Sequence, residues 1–175
     1  MKRRQFVATA GAVATVGVAG CTGSNGSGDF EYDGETPESA SESWIRFSVE
    51  DAPTLDLSEI ENRALSMLHT DSFLVPVFDG FEDEDEDEID EIETDETVEL
   101  QNLEIDVVDE DLNEEEIEEW NVLVAWRLDD RGAMDAITER NAAVVATYDA
   151  VNGGTESNET RILLAPEDDE WRILG

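Results

Sequence analysis

The chain of 175 residues sets 47 Asp and Glu against ten Lys and Arg, a formal net charge of −37, and carries one histidine and one cysteine. Nucleic acid and anionic lipid surfaces are bound through clusters of Lys and Arg, and no two basic residues are adjacent beyond Arg4, so both are excluded as direct partners. A single cysteine rules out an internal disulfide, so any domain that forms is held by its core.

Lys2, Arg3 and Arg4 form a basic head, and residues 5–20 follow without a charge. The apolar run is about half the roughly 20 residues that a membrane-spanning helix needs, which makes it an export signal and not a span. The string Arg3-Arg4-Gln5-Phe6-Val7 resembles the twin-arginine export motif, with Arg3, Arg4 and Phe6 at its matching positions, and implies export of a chain already folded. Val18-Ala19-Gly20-Cys21 resembles a lipobox. That resemblance implies residues 1–20 as a signal peptide, a lipid on the Cys21 sulfur, and the membrane as a partner through that lipid.

Without the signal, seven arginines and no lysine stand against all 47 acids, an excess of forty negative charges. Such a surface repels itself at ordinary ionic strength, whereas at about 1 M salt the Debye length falls to about 3 Å and the repulsion is largely screened. Acid excess with lysine absent resembles proteins of salt-loving archaea, where twin-arginine export and lipid anchoring are also common. The expected place is the outer face of the cell membrane.

From Cys21 to residue 35 the chain is rich in Gly, Ser and Asn without apolar periodicity and reads as a flexible tether spanning about 20 Å. Asn25-Gly26-Ser27 is a glycosylation sequon at Asn25, and Asn158-Glu159-Thr160 is a second, with Asn158 expected on a loop. A single domain is expected over 36–175. Thr36 and Pro37 cap and start a first helix, with Ala40, Trp44 and Phe47 at helical spacing, and residues 51–53 stop it. A second helix is predicted from a Ser58/Glu61 capping box, with Ile60, Ala64, Leu65 and Leu68 as its buried stripe. His69-Thr70-Asp71-Ser72 ends it, with His69 read as a C-terminal dipole partner or packing group and Asp71 as a cap of the next turn. Residues 73–78, broken by Pro76, read as a short extended or turn segment.

Residues 82–96 hold twelve acids and read as a solvated, self-repelling loop. A calcium loop begun at Asp83 has Glu88 where Gly is needed and Thr94 where a bidentate Glu is needed, so the EF-hand pattern fails and no metal or other cofactor is expected. Beyond it the period falls to two. Val98 and Leu100 share one phase and Leu103, Ile105 and Val107 the other, and the slip at Gln101-Asn102 predicts a bulge in one long bent strand. Residues 112–120 read as an acidic helix. Residues 122–128 fit a strand by their β-rich composition and a helix by the alignment of Ile117, Trp120, Val124 and Leu128, with strand preferred. Asp129 or Asp130 is expected to cap a short helix carrying Met134 and Ile137. Strands are predicted over 142–151, 161–165 and 171–174, with Asn152-Gly153-Gly154 turning the first pair and 166–170 linking the second.

Two N-terminal helices ending in the His69-Thr70-Asp71-Ser72 turn, then a bent antiparallel sheet finishing on Glu170-Trp171-Arg172-Ile173-Leu174, are similar to the NTF2-like (cystatin-like), cone-shaped α+β family, particularly its exported members in halophilic archaea. The resemblance covers 36–175 and implies an α+β fold with N-terminal amphipathic helices packed on a bent antiparallel sheet. Two functions of different class follow. The first is a non-catalytic surface lipoprotein whose domain binds a small ligand or another envelope protein; the second is a cone-cavity enzyme of isomerase or dehydratase type with His69 and Asp71 as acid and base. A cavity lined by Trp44, Phe47 and Trp126 over a titratable group points to the enzyme, and a filled core points to the binding protein. No phosphate loop, zinc-ligand cluster or nucleophile elbow occurs in the sequence.

Overall fold

The computed structural model describes residues 32–79 and 97–175, so the acidic stretch 82–96 lies outside the described residues. Four antiparallel strands in the order β1-β2-β3-β4 make one sheet: β1 Glu99–Glu110, β2 Ala142–Val151, β3 Thr155–Glu167 and β4 Glu170–Ile173. The bulge expected in β1 is present. Between Gln101 and Glu104 the strand advances one residue further than β2 does from Asp149 to Thr147, and Asn102 takes a left-handed φ of 52°. A second register shift lies between Val107 and Asp109, and the extra residue, Val108, is left 51% exposed. The first shift brings Leu100 into phase with Leu103, Ile105 and Val107, and all four pack against one core cluster.

The β3–β4 link is tighter than the five-residue connection expected from 166–170. β3 continues through Glu167, and the chain reverses over Asp168 and Asp169, whose φ values of 53° and 69° match the hairpin turns that suit the twist of paired strands. β3 also starts earlier than expected, at Thr155. Asn158 therefore stands inside a strand, paired with Tyr148, and not on a loop.

One face of the sheet is covered by the first helices. α1, Pro37–Arg46, opens with a capping box in which Thr36 Oγ1 accepts from Ser39 N at 3.2 Å and Ser39 Oγ accepts from Thr36 N at 3.1 Å. It does not stop cleanly at residues 51–53. From Phe47 to Asp51 it widens into a π turn, with the Ser48 hydroxyl donating to the Trp44 carbonyl at 2.8 Å, and then tightens into a 3-10 turn over Ala52–Thr54. This sends Phe47 against Ala64 and Met67 of α2, Leu57–Met67, while Val49 packs toward the sheet. α2 begins earlier than the Ser58/Glu61 box because Asp56, an equally good cap, accepts from Glu59 N at 2.8 Å and from Ser58 Oγ at 2.9 Å. Residues 75–79, expected as an extended or turn segment, form a short helix, α3 (Val75–Asp79), with Pro76 in the first turn, where its missing N–H costs nothing.

A second helical layer covers the opposite face: α4 Glu114–Trp120, α5 Val122–Arg131 and α6 Met134–Thr138. Residues 122–128, expected as strand, are helix. Asn121 Oδ1 accepts from Leu123 N at 3.0 Å and Val124 N at 3.3 Å, Gly132 ends the helix at φ 67°, and Val124, Ala125 and Leu128 bury against the sheet. Burial on one side overrides the strand preference of the individual residues. Asp129 and Asp130 belong to the last turn of α5 and do not cap α6, whose N-cap is Ala133 with no side-chain bond. Along β2 the alternation is clean: Ala142, Val144, Ala146 and Tyr148 enter the first core cluster, and Ala143 enters the second with Leu163, Ala165 and Leu174. The α+β class is as expected; the second layer is an addition.

The outer edge of β4 is covered by chain from elsewhere. Trp171 N donates to Gly34 O at 2.8 Å, the Tyr32 hydroxyl donates to the Trp171 carbonyl, and His69 N donates to Ile173 O at 2.9 Å. Residues 32–35, read from sequence as the end of the tether, are thus docked on β4.

Candidate functional site

Cys21, Arg3, Arg4, Phe6 and Asn25 lie outside the described residues. Asn158 is half-buried in β3, with its amide donating to Glu156 O at 2.9 Å. His69 and Asp71 are brought together by the turn after α2. That helix ends at Met67, and Leu68 leaves it extended, at φ −82° and ψ 140°, to form a parallel bridge with Ile173. His69 is therefore a residue of the β4 edge and not of a helix's last turn, and it is only 7% exposed.

Several polar groups of the turn are bonded within it or to the chain packed against it. Asp71 N donates to His69 Nδ1 at 3.0 Å, which makes Nδ1 an acceptor and leaves the neutral ring's proton on Nε2. The Asp71 carboxylate lies 3.9 Å from Nδ1 and 3.1 Å from Nε of Arg131 at the end of α5. It joins the two helical layers and caps nothing; Leu74 N donates instead to Ser72 Oγ, at 3.2 Å. Ser72 Oγ in turn donates to Leu174 O at 2.9 Å, and Thr70 N donates to Glu167 at 3.2 Å. Burial pushes His69 below its ordinary value, more than nearby Glu167 and Asp71 raise it, and Arg172 adds to the depression. A neutral ring with its lone pair already taken, beside an aspartate paired to arginine, is a structural clamp.

That clamp predicts a pH dependence of stability. As pH falls through about 6.5 the unfolded chain's imidazole takes up a proton that the folded one resists, so the unfolded state is favoured. The contribution is intact above that value and is lost progressively below it. Since His69 is the only histidine, the slope of the urea midpoint between about pH 7.5 and 5.5 is expected to be steeper for the parent than for His69→Gln. Equal slopes would show that His69 titrates alike in both states.

The second region was not legible as a site from sequence. Val122, Leu123 and Trp126 on α5 are 61%, 54% and 64% exposed. Trp126 is three residues from Leu123 and four from Val122, so on the helix it neighbours both and the three make one apolar patch. Exposed Glu118 and Glu119 of α4 precede it, and exposed Asp129 and Asp130 follow. Trp126 does not share a cavity with Trp44 and Phe47, whose ring centroids lie 5.9 Å apart in the opposite helical layer. Two signals bracketed this helix in the sequence: Asn121, a strong N-cap, and Gly132, a C-cap glycine. Arg127, on the same helix, holds its Nε buried without a hydrogen-bond partner.

A shallow cleft of about 350 Å³ is lined by Glu38, Val107, Val108, Asp109 and Glu110, and its carboxylates repel anions. Among the described residues no three His, Cys, Asp or Glu side chains are grouped to hold a metal, and no helix is long and apolar enough to cross a membrane. No protein-family model, curated protein or solved structure matches the chain, so both regions rest on their geometry alone.

Proposed function

We propose that the protein is an exported lipoprotein, held at the outer face of the cell membrane by a lipid on Cys21, and that its acidic domain is a non-catalytic binding module working in high salt. The observation that carries the reading is how the candidate cavity residues are packed among the described residues. Helices pack on both sheet faces, Trp44 and Phe47 are absorbed into the first layer, and His69 and Asp71 are committed to the turn that fastens α2 to β4. The basic head, the uncharged run and the cysteine after Val18-Ala19-Gly20 support the anchor, and forty excess negative charges support the high-salt setting. We also propose kinship with the NTF2-like family, on the two leading helices and the antiparallel meander that follows. The layer α4–α6 is an elaboration of that pattern.

The anchor is tested by Cys21→Ser expressed in the native host. The expected outcome is a chain released to the medium or retained as an uncleaved precursor, read by fractionation and mass spectrometry. A processed Cys21→Ser chain that still needs detergent for extraction would overturn the lipid attachment. Native mass spectrometry of the parent, taken from its own membranes in high salt, is expected to show a retained partner.

A further inference from the structure

We propose that the outer face of α5 is the docking surface for a partner protein segment in which Lys or Arg flank two or three large apolar side chains. This rests on reading the domain as a binding module, and it names the module's surface and the chemistry of its partner. Among the described residues the exposed large apolar side chains are Val77, Val108 and the three on α5. Val108 is the extra residue of a bulge, and Val77 lies on the five-residue α3. The α5 trio is different, because the helix already has Val124, Ala125 and Leu128 for burial against the sheet. A helix that only covers a sheet carries polar residues on its far side. α4 does so, with Glu114, Glu115, Glu118 and Glu119 all exposed, whereas α5 presents Val122, Leu123 and Trp126 there. An apolar centre holding a tryptophan inside a charged rim is the anatomy of an interface.

The rim selects the partner. Asp129 and Asp130 stand three and four residues beyond Trp126 on α5, exposed Glu118 and Glu119 end α4 just before it, and none of the ion pairs formed among the described residues engages them. Arg131, the basic residue next to Asp130, is held by Asp71 at 3.1 Å. A second copy docked through the same face would set carboxylate against carboxylate, and an anionic bilayer would set them against phosphate. Basic groups flanking the partner's apolar anchors complement the rim. With a Debye length of about 3 Å at 1 M salt, the rim acts at contact distance, so it governs which partner fits while the trio supplies the affinity.

The test is titration of the full chain, in about 1 M salt, with a synthetic amphipathic Leu/Lys helical peptide, with a Leu/Glu peptide of the same apolar face, and with phosphatidylglycerol vesicles, read by calorimetry. Saturable binding of the Leu/Lys peptide is expected, weakened about tenfold or more by Trp126→Ala and by Leu123→Asp but not by Val77→Ser, with the other two probes binding about tenfold or more less tightly. These positions are exposed, so the variants are expected to fold, which circular dichroism checks. Leu/Lys binding unmoved by Trp126→Ala would overturn the proposal. So would equal affinity for the Leu/Glu peptide or the vesicles, or a dimer of the full chain that Trp126→Ala dissolves, which would make a second copy the occupant. Failure here leaves the anchor standing, since Cys21→Ser is read by fractionation and does not involve α5.

Discussion

Lowering the salt from about 1 M to about 0.1 M is expected to abolish the cooperative melting transition of the full chain, with the transition restored on raising the salt again. The arginines neutralise little. Arg46 pairs with Glu42 at 2.8 Å and Glu50 at 3.3 Å, Arg131 with Asp71 at 3.1 Å and Arg172 with Glu170 at 2.6 Å, while Arg63–Asp51 and Arg161–Glu159 are both looser at 3.9 Å. α4 shows what remains, with Glu114, Glu115, Glu116, Glu118 and Glu119 on seven residues of helix. Its Glu114/Glu118 and Glu115/Glu119 pairs sit at the spacing where like charges repel by about 0.2–0.5 kcal/mol each. At 0.1 M the Debye length of about 10 Å exceeds such separations, and repulsions of this size summed over forty excess charges rival a folding free energy of about 5–15 kcal/mol. At 1 M the screening length is shorter than the separations, and the term shrinks. Melting followed by circular dichroism across the salt series checks it; a midpoint independent of salt would show that the charges are not the controlling term.

What could be seen in the sequence was what local pattern encodes. The phase slip at Gln101-Asn102 announced the bulge, and the 3.6-residue spacing of Ala40 and Trp44 announced α1. The failures have non-local causes. His69 looked like a helix end because its pairing partner, Ile173, lies at the far end of the chain. Asp56 and Ser58 are both good caps, and nothing local ranks them. Residues 122–128 carry strand-forming side chains, and the choice of period decided what could be seen of the site. As a strand, Val122, Val124 and Trp126 would share one face and Leu123 and Ala125 the other, with no unburied apolar group. As a helix the same residues divide into an inward set of Val124, Ala125 and Leu128 and an outward set of Val122, Leu123 and Trp126. The docking surface exists only in the second phase.

Asn141 was also passed over, and its replacement is expected to be the most damaging single change in the described core. It is fully buried at the start of β2. Its Nδ2 donates to Leu112 O at 2.9 Å and Ile137 O at 3.0 Å, its Oδ1 accepts from Leu112 N at 2.9 Å, and its backbone carbonyl accepts from Asp111 N at 3.0 Å. One side chain therefore joins the exit of β1, the end of α6 and the start of β2, and so fastens the second helical layer to the sheet. Asn141→Ala leaves the buried N–H and carbonyl of Leu112 unpaired, at about 1–3 kcal/mol for each group that water cannot reach, while the Ile137 carbonyl keeps its bond from Arg140 N at 3.2 Å. With partial relaxation the expected loss is about 3–5 kcal/mol, a large share of the total. Asn141→Asp is expected to be no milder, because it keeps the acceptor for Leu112 N, removes both donors and sets a carboxylate against two carbonyl oxygens. Ser41 is the internal control. It is equally buried, but its Oγ has no hydrogen-bond partner, so Ser41→Ala removes an unsatisfied group and is expected to change stability by no more than about 0.5 kcal/mol in either direction. Urea unfolding at about 1 M salt compares them with charge repulsion screened. An Asn141→Ala chain losing less than about 1 kcal/mol would mean that water or a shift of α6 replaces the bonds, and that the second layer is not clamped through this amide.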